Sequence, residues 1–211
     1  MKIALIGSNG KMGKAVSEVI KDGDEIVAKI DSENVLKKSV TADVIIDFST
    51  AENRKEYINF STKKKVPYCC FSTAISTEDM KEFQTLAKRV PVLVSSNASL
   101  GANFLFEVAK LASQKLPNSE AVILEYHHKN KKDSPSGTAK KIQEILGKNN
   151  KMSEVRSFRV GNECGTHILQ LFLEDEIIEL KHQAKSRKVF AIGAIEMARD
   201  LCKRKRGFYE K

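Results

Sequence analysis

The feature that most constrains the fold is the alternation of short apolar segments and helical patterns before residue 96. Five segments have the composition of strands: Lys2–Ile6, Glu25–Ile30, Ala42–Phe48, Val66–Phe71 and Val90–Ser95. Three segments between them have helical spacing: Lys11–Lys21, Glu52–Lys64 and Thr77–Arg89. Strands joined by helices predict right-handed crossovers and a Rossmann-like, doubly wound parallel sheet.

The pattern changes near residue 97, and an α+β arrangement with an open mixed sheet is predicted after it. Its expected elements are helix Leu100–Leu116, strand Ala121–His127, helix Thr138–Gly147 and the strands Glu154–Val160, Thr166–Leu173 and Ile177–His182. A final helix is predicted from about Phe190 to Lys203. An open sheet leaves a face or an edge to cover, which favours oligomers.

Composition excludes several classes of protein. The 211 residues contain no apolar run long enough to span a bilayer, so no membrane association is expected. The four cysteines lack metal-site spacing, which predicts a cytoplasmic protein without a metal. The net charge of +9 fits either steering of anionic ligands or a lysine-rich solvated surface. Lys203–Arg206 is basic but lacks interleaved aromatic residues, so no nucleic-acid partner is predicted.

A glycine-rich turn links the first predicted strand to the first predicted helix. Residues 7–13 are Gly-Ser-Asn-Gly-Lys-Met-Gly, with Asn9 where such loops usually have their second glycine. Gly7 permits a tight turn, Gly10 lets a phosphate approach the backbone, and Gly13 lets the helix pack closely. The helix N-terminus supplies N–H groups for a pyrophosphate. The residues predicted to bind a dinucleotide here are Gly7, Ser8, Asn9, Gly10, Lys11 and Met12.

An acidic residue stands where a dinucleotide-binding domain needs one. Asp31 follows the second strand, about 20 residues after the loop, at the position that bonds ribose hydroxyls. Its charge repels a 2′-phosphate, which favours NADH as the cofactor. Lys37 and Lys38 could bind such a phosphate, so NADPH remains an alternative cofactor. The simpler alternative to cofactor binding is that the three glycines of the loop only form a turn and that Asp31 is an ordinary surface residue. The ends of the later strands also face the cofactor in such a sheet, so the residues there are further candidates for cofactor binding. Capping of the following helices by serine and threonine is the alternative explanation for the hydroxyl residues among them. These candidates are Phe48, Ser49, Thr50, Ser72, Thr73, Ala74, Ser95, Ser96, Asn97 and Ala98.

Residues 125–139 combine acid–base and anion-binding groups, in the order Glu-Tyr-His-His-Lys-Asn-Lys-Lys-Asp-Ser-Pro-Ser-Gly-Thr-Ala. His127 and His128 end a strand and point to opposite sides, and imidazole exchanges protons near neutral pH. Ser136 is placed to cap the next helix, whose first N–H groups can hold a carboxylate. Three lysines add positive charge. The segment predicts a site for a small carboxylate, and the two halves together predict a nicotinamide-dependent reductase.

The pattern Glu-x-His-His-x-x-Lys-x-Asp-x-Pro-Ser-Gly-Thr-Ala resembles the signature of the 4-hydroxy-tetrahydrodipicolinate reductases, also called dihydrodipicolinate reductases. Four further stretches are similar to segments of that family in the same order: Asp47–Thr50, Ser96–Asn103, Arg159–His167 and His182–Ala194. The resemblance therefore covers nearly the whole chain. The histidine segment is specific to the family, whereas the glycine loop alone is not.

This resemblance implies a reaction and residue roles that spacing alone does not assign. NAD(P)H would reduce 4-hydroxy-tetrahydrodipicolinate, a cyclic dicarboxylate, to tetrahydrodipicolinate in diaminopimelate and lysine biosynthesis. His127 matches the family's acid/base histidine, and Lys131 matches its proton donor. The residues assigned to the substrate are His128, Ser136, Gly137 and Thr138. The family also implies a homotetramer assembled through the second domain's sheets.

These roles predict two domains. Residues 1–97, with a C-terminal helix at about 190–211, are expected to bind the dinucleotide, and residues 98–189 to bind substrate and to oligomerise. The chain departs from the family in its short connection from Asp31 to Ala42 and at Phe71–Ala74, where glycines often stand. Two alternatives remain: another nicotinamide-dependent dehydrogenase of small carboxylates, and a nucleotide-sensing regulator without catalysis.

Overall fold

The structure is a computed structural model, and it describes residues 1–21, 23–31, 36–50, 52–72, 75–147 and 149–210, without the side chains of 152 and 153. The chain divides into two units. One comprises Met1–Ser99 with Phe190–Lys211, and the other comprises Leu100–Val189. No helix in the described parts is both long and apolar enough to cross a membrane.

The elements follow the predicted order. The first unit begins with β1 (Lys2–Ile6), α1 (Lys11–Val19), β2 (Glu25–Ile30), β3 (Val44–Asp47), α2 (Arg54–Lys64), β4 (Tyr68–Cys70), α3 (Thr77–Leu86) and β5 (Pro91–Val94). The second contains α4 (Leu100–Lys115), β6 (Glu120–His127), α5 (Gly137–Leu146), β7 (Lys151–Arg159), β8 (Thr166–Phe172) and β9 (Ile177–Gln183). The chain ends with α6 (Lys188–Leu201) and β10 (Gly207–Glu210).

The first unit is built on a parallel sheet in the order β10-β5-β4-β3-β1-β2. Apolar clusters cover both faces, with Ala4 and Ile6 in one cluster and Ile3 and Leu5 in the other. Burial on both faces explains the continuous apolar strands. The chain reverses its direction of winding at β1, which lies between β2 and β3. The carboxyl ends of β1 and β3 therefore border the crevice where such sheets bind ligands. The predicted Rossmann-like sheet is confirmed.

The C-terminal end differs from the expectation. The predicted C-terminal helix, assigned to about 190–211 as part of the first domain, is too long: α6 ends at Leu201, and β10 follows the basic run Lys203–Arg206 and pairs with β5 as a parallel edge strand. Phe208 packs against one apolar cluster and Tyr209 against the other. Four residues are too few to show a periodicity in sequence, so only the pairing with β5 defines this strand.

The second unit has a mixed sheet in the order β7-β6-β8-β9. β6 runs parallel to β7 and antiparallel to β8, and β8 and β9 form an antiparallel hairpin. One sheet face packs against α4 and α5 through side chains such as Ile123, Leu169 and Ile142. The opposite face includes Tyr126 and Phe158, whose rings stack with centroids 4.7 Å apart. The predicted open mixed sheet is confirmed.

Candidate active site

The glycine-rich loop turns sharply from β1 into α1. Gly7 has a φ of +78°, in the left-handed region, and a Cβ atom there would lie 3.0 Å from the Phe48 carbonyl group. The N–H groups of Gly7 and Ser8 donate to the Ile30 carbonyl oxygen at 2.8 and 3.0 Å. A Cβ atom at Gly13 would overlap the Gly7 carbonyl oxygen and the Ser8 backbone. The loop therefore packs tightly against two strand ends.

A cavity of about 220 Å³ lies beside this loop, at the carboxyl ends of β1, β2 and β3. Seven of the predicted cofactor residues line it: Gly7, Asn9, Gly10, Asp31, Phe48, Ser49 and Thr50. Asn9 Nδ2 donates to Asp31 Oδ2 at 2.5 Å, which links the loop directly to the predicted ribose-binding acid. The cavity lies at the point where the sheet changes its direction of winding, the usual dinucleotide position in this architecture.

Among the described residues, the other predicted cofactor residues do not line this cavity. Ser8 is buried, and Lys11 and Met12 lie in the first turn of α1. After β5, Ser95 Oγ donates to the Asn97 carbonyl oxygen at 2.8 Å, a bond that shapes the loop itself. The remaining candidates follow β4 or β5: Ser72, Ser96 and Ala98, with Thr73 and Ala74 outside the described residues. A role of these residues in cofactor binding stays a prediction.

Asp47, at the end of β3, supports the wall of the cavity. Its side chain is buried, and it accepts hydrogen bonds from the Ser49 N–H at 2.7 Å and the Tyr68 hydroxyl at 2.6 Å. Burial, followed by the Asp47 charge, raises the pKa of Tyr68 well above its usual value, so this hydroxyl keeps its proton. Asp47 thereby orients the turn that carries Ser49.

A second group of polar side chains lies where β6 ends and α5 begins. Glu125 and His127 are buried on the sheet face that packs against the helices. Ser136 caps α5, and its Oγ accepts the Ala139 N–H at 3.2 Å. The Ser136 N–H in turn donates to Glu125 Oε1 at 3.0 Å. One carboxylate therefore joins the end of the strand to the start of the helix.

Arg159, on the neighbouring β7, adds a positive charge to this carboxylate. Its Nη2 donates to Glu125 Oε1 at 3.1 Å and to the Asp133 carbonyl oxygen at 2.6 Å. Burial on its own would raise the pKa of Glu125, yet that pKa lies well below its usual range. The groups that lower it are polar side chains close to the carboxylate: His127, Ser136, Ser157 and Arg159. Glu125 is therefore negatively charged at neutral pH.

Three of the four histidines form a row beside Glu125. His167 on β8 is paired with Glu125, and His182 on β9 is paired with His167. The ring centroids of His127 and His167 are 5.1 Å apart, and those of His167 and His182 are 6.4 Å apart. Burial and the neighbouring His127 lower the pKa of His167 to about 3, so its ring is neutral at neutral pH. His167 Nε2 lies 3.2 Å from Ser136 Oγ.

Lys131 lies in the turn that follows β6. Its N–H donates to the His128 carbonyl oxygen at 3.1 Å, and its Nζ contacts both carboxylate oxygens of Asp133, at 2.7 and 2.9 Å. Burial would raise the pKa of Asp133, but the bond from Lys131 lowers it overall. The charge of Lys131 also makes a minor contribution to lowering the pKa of His167. His128 is half-buried.

Glu125, His127 and His167 have donor atoms of the types that bind zinc, all within 4.8 Å of one another. Arg159 donates to the same carboxylate, so an added cation would meet an existing positive charge. No metal role is assigned to this cluster.

The structure thus brings several predicted residues together and adds others. His127 and Ser136 contact the Glu125 cluster, while Gly137 and Thr138 are the first two residues of α5. Glu125, Arg159, His167 and His182 receive no individual role from sequence patterns. The only signal for them is that each stands in a stretch that resembles a family segment.

Both units match models of one protein family. Residues 1–98 match the model described as dihydrodipicolinate reductase, N-terminus, and residues 101–211 match its C-terminus model. Among solved structures, the dipicolinate-bound dihydrodipicolinate reductase from Paenisporosarcina sp. superposes with a TM-score of 0.82 at 20% identity, covering 100% of this chain and 97% of that one. At that identity the likeness shows the fold alone.

Curated relatives match over almost their full length. The 4-hydroxy-tetrahydrodipicolinate reductase of Thermosipho africanus is 36% identical over 210 residues, covering 99% of this chain and 95% of the relative. The enzyme of the same name from Archaeoglobus fulgidus is 34% identical over 250 residues, covering 99% and 97%. The chain belongs to the dihydrodipicolinate reductase family.

Proposed function

We propose that this protein reduces 4-hydroxy-tetrahydrodipicolinate to tetrahydrodipicolinate, in diaminopimelate and lysine biosynthesis. The reaction adds a hydride and a proton to the substrate and releases one water, so the ring product has one oxygen fewer. A bound nicotinamide cofactor supplies the hydride. The protein must therefore bind a dicarboxylate, transfer a proton to it and bind a dinucleotide.

The observation that carries this proposal is the junction of β6 and α5. A buried histidine, His127, lies 3.1 Å from the buried carboxylate of Glu125, which also binds the residue that caps a helix. Lys131 lies in the following turn. A proton-exchanging imidazole, an ammonium group and a helix N-terminus are the groups that reduction of a small dicarboxylate needs.

The proposed roles follow the family motif residue by residue. His127 acts as acid/base, and Lys131 donates the proton to the reduced ring. The residues that hold the substrate carboxylates are His128, Ser136, Gly137 and Thr138. Arg159, through Glu125, keeps the start of α5 in place for them.

We propose NADH as the favoured cofactor. The cavity beside the glycine-rich loop would hold the ribose, because Asp31 lies in its wall and accepts a bond from Asn9. A carboxylate there favours ribose hydroxyls and opposes a 2′-phosphate. Lys37 and Lys38 are close in sequence, so use of NADPH at a lower rate is also expected.

The first unit is proposed to bind the dinucleotide and the second to bind substrate and to assemble the protein into a homotetramer through its open sheet face. A cytoplasmic location is proposed because the described cysteines are free thiols without metal-site spacing. Neither nucleic acid nor a membrane is proposed as a partner.

The test is substrate-dependent oxidation of NADH and of NADPH, followed by loss of the reduced-nicotinamide absorbance. The substrate is made in situ from pyruvate and aspartate semialdehyde by a condensing synthase. Rapid oxidation that requires all components, and that is faster with NADH, is the expected result. Asp31→Ser should shift the ratio of rates towards NADPH, because it removes the like charge.

Two outcomes would contradict the proposal. Oxidation driven by another small carboxylate, but not by this substrate, would identify a different dehydrogenase. Cofactor binding by a folded protein that turns over neither substrate would favour a nucleotide-sensing regulator.

A further inference from the structure

Glu125 lies at the centre of the group of polar side chains where β6 ends and α5 begins. It is too deeply buried to touch a substrate carboxylate directly. Its side chain is fully buried, and its two oxygens have different neighbours. Oε1 accepts the Ser136 N–H at 3.0 Å and Arg159 Nη2 at 3.1 Å. Oε2 lies 3.1 Å from His127 Nδ1 and 3.8 Å from His167 Nε2. The carboxylate is therefore anchored on one side and faces two imidazoles on the other.

The anchored side fixes the position of the carboxylate. Ser136 is held as the cap of α5, and Arg159 is held by the Asp133 carbonyl oxygen as well as by Glu125. With Oε1 occupied by two donors, rotation of the carboxyl group would break both bonds. Charge-assisted hydrogen bonds of this kind are stronger than neutral ones. Oε2 is therefore held facing His127.

An ionised carboxylate determines which nitrogen of a facing imidazole carries the proton. A carboxylate only accepts hydrogen bonds, so a neutral ring beside it is favoured with its proton on the nearer nitrogen. For His127 that nitrogen is Nδ1, which has no other hydrogen-bond partner among the residues that the structure describes. The Nδ1–H direction is not yet aligned with Oε2, and such bonds commonly tighten when substrate binds.

The opposite side of the His127 ring faces a glycine. A Cβ atom on Gly165 would lie 3.2 Å from His127 Nε2, closer than a side chain is normally tolerated. Gly165 also has a φ of +147°, which side chains rarely adopt. Glycine therefore leaves space beside the nitrogen that carries no proton when Nδ1 is protonated.

We propose that Glu125 is a positioning residue, which holds His127 in the Nδ1–H tautomer and leaves Nε2 as the atom that exchanges a proton during the reduction. This inference rests on the proposed acid/base role of His127. Because the Oε1 atom of the same carboxylate binds the cap of α5, Glu125 also sets the distance between the acid/base group and the helix start that holds the substrate.

The direct test is the tautomer of His127 in the wild-type protein. The chain has four histidines, so nitrogen chemical shifts of ¹⁵N-labelled imidazoles can be assigned by single substitutions. At a pH where the ring is neutral, the proton is expected on Nδ1. A proton on Nε2 would overturn the inference. This measurement needs no turnover, so it separates failure of the inference from failure of the proposed reaction.

The kinetic test is Glu125→Gln. The amide oxygen of glutamine can still accept from Ser136 and Arg159, while its NH₂ group donates towards Nδ1 and forces the proton onto Nε2. We expect kcat to fall about 10²–10⁴-fold with little change in KM, because the base is held in the wrong tautomer. Unchanged kcat in a folded variant would contradict the inference.

Two further variants separate positioning from folding. Glu125→Asp keeps the negative charge on a shorter side chain, and we expect it to retain the Nδ1–H tautomer and to lose less turnover than Glu125→Gln. If the Glu125→Gln protein does not fold, the tautomer of His127 in the wild type and in Glu125→Asp becomes the deciding measurement, and a proton on Nε2 in either would overturn the inference. The matched control is Glu120→Gln on the same strand, where the exposed carboxylate pairs with Lys151 at 2.9 Å. Its kcat should equal that of the wild type.

Discussion

At the scale of single residues, the proposed chemistry depends on one ammonium group. Lys131→Ala removes the ammonium group that contacts Asp133 in the turn after β6. We expect kcat to fall about 10²–10⁴-fold, the range for loss of a proton-transfer group. The free energy of unfolding should change by less than about 1 kcal/mol, because partly exposed ion pairs stabilise little. Steady-state kinetics and urea unfolding measure both quantities.

Lys132 provides the matched control for this prediction. It is the next residue, it is exposed, and it carries the same charge. Lys132→Ala should leave kcat within about twofold of the wild-type value, well below the effect of losing a proton-transfer group. Equal losses in the two variants would show that general positive charge matters, and would remove Lys131 from its proposed role.

The buried His167 gives stability a defined pH dependence. Its pKa is about 3 in the folded protein, against about 6.5 for an unfolded histidine. Between these values the unfolded chain binds a proton that the folded protein does not, so this residue lowers stability as the pH falls through the window. The loss amounts to about 2 kcal/mol at a pH near 4.5.

His167→Gln removes this titration. The difference in unfolding free energy between the wild type and the variant should therefore shrink by about 2 kcal/mol between neutral pH and a pH near 4.5. Urea unfolding of both proteins at the two pH values measures it. A difference that does not vary with pH would mean that the folded His167 titrates normally.

At the scale of elements, the contact between α1 and β1 depends on a glycine. A Cβ atom at Gly13 would overlap backbone atoms of Gly7 and Ser8, which no rotamer change can relieve. We expect Gly13→Ala to destabilise the protein by about 1–3 kcal/mol or more and to weaken NADH binding, because the loop must move away from the sheet. Urea unfolding and fluorescence titration with NADH report the two effects.

Gly147, at the end of α5, is the matched control. Its φ of −60° suits any residue, and among the described residues an added Cβ atom would meet the Gln143 carbonyl oxygen at 3.2 Å. Gly147→Ala should change the free energy of unfolding by no more than about 1 kcal/mol in either direction, because a shift of a few tenths of an ångström relieves the contact. Similar destabilisation in both variants would show that the packing at Gly13 is not special.

At the scale of the whole molecule, the open face of the second sheet is expected to form the interface between subunits. Tyr126 and Phe158 stack there, and Phe158 is 40% exposed, an apolar surface that a second copy would cover. Light scattering should give a mass four times that of one chain, and Phe158→Glu should reduce it. Leu111→Glu, at an exposed position on α4, is the control and should leave the mass unchanged. A monomeric wild type would contradict the prediction.

Local patterns in the sequence determine most of the fold and part of the site. The spacing of apolar residues predicts every strand and helix except β10, because burial on one or both faces sets that spacing. The glycine-rich loop predicts its own tight packing, since only glycine fits at Gly7 and Gly13. The histidine segment identifies the family because its charged and small residues stand at fixed intervals along one continuous stretch.

Only the tertiary structure decides which distant residues meet around Glu125. Arg159 and His167 come from β7 and β8, and strand register places them next to β6. That register depends on how the apolar face of the sheet packs against α4 and α5, which no local pattern records. β10 is a second case, because four residues become a strand only when the edge of β5 is beside them. The sequence by itself therefore determines the elements and the family, while long-range packing determines the hydrogen bonds that hold the proposed acid/base histidine in place.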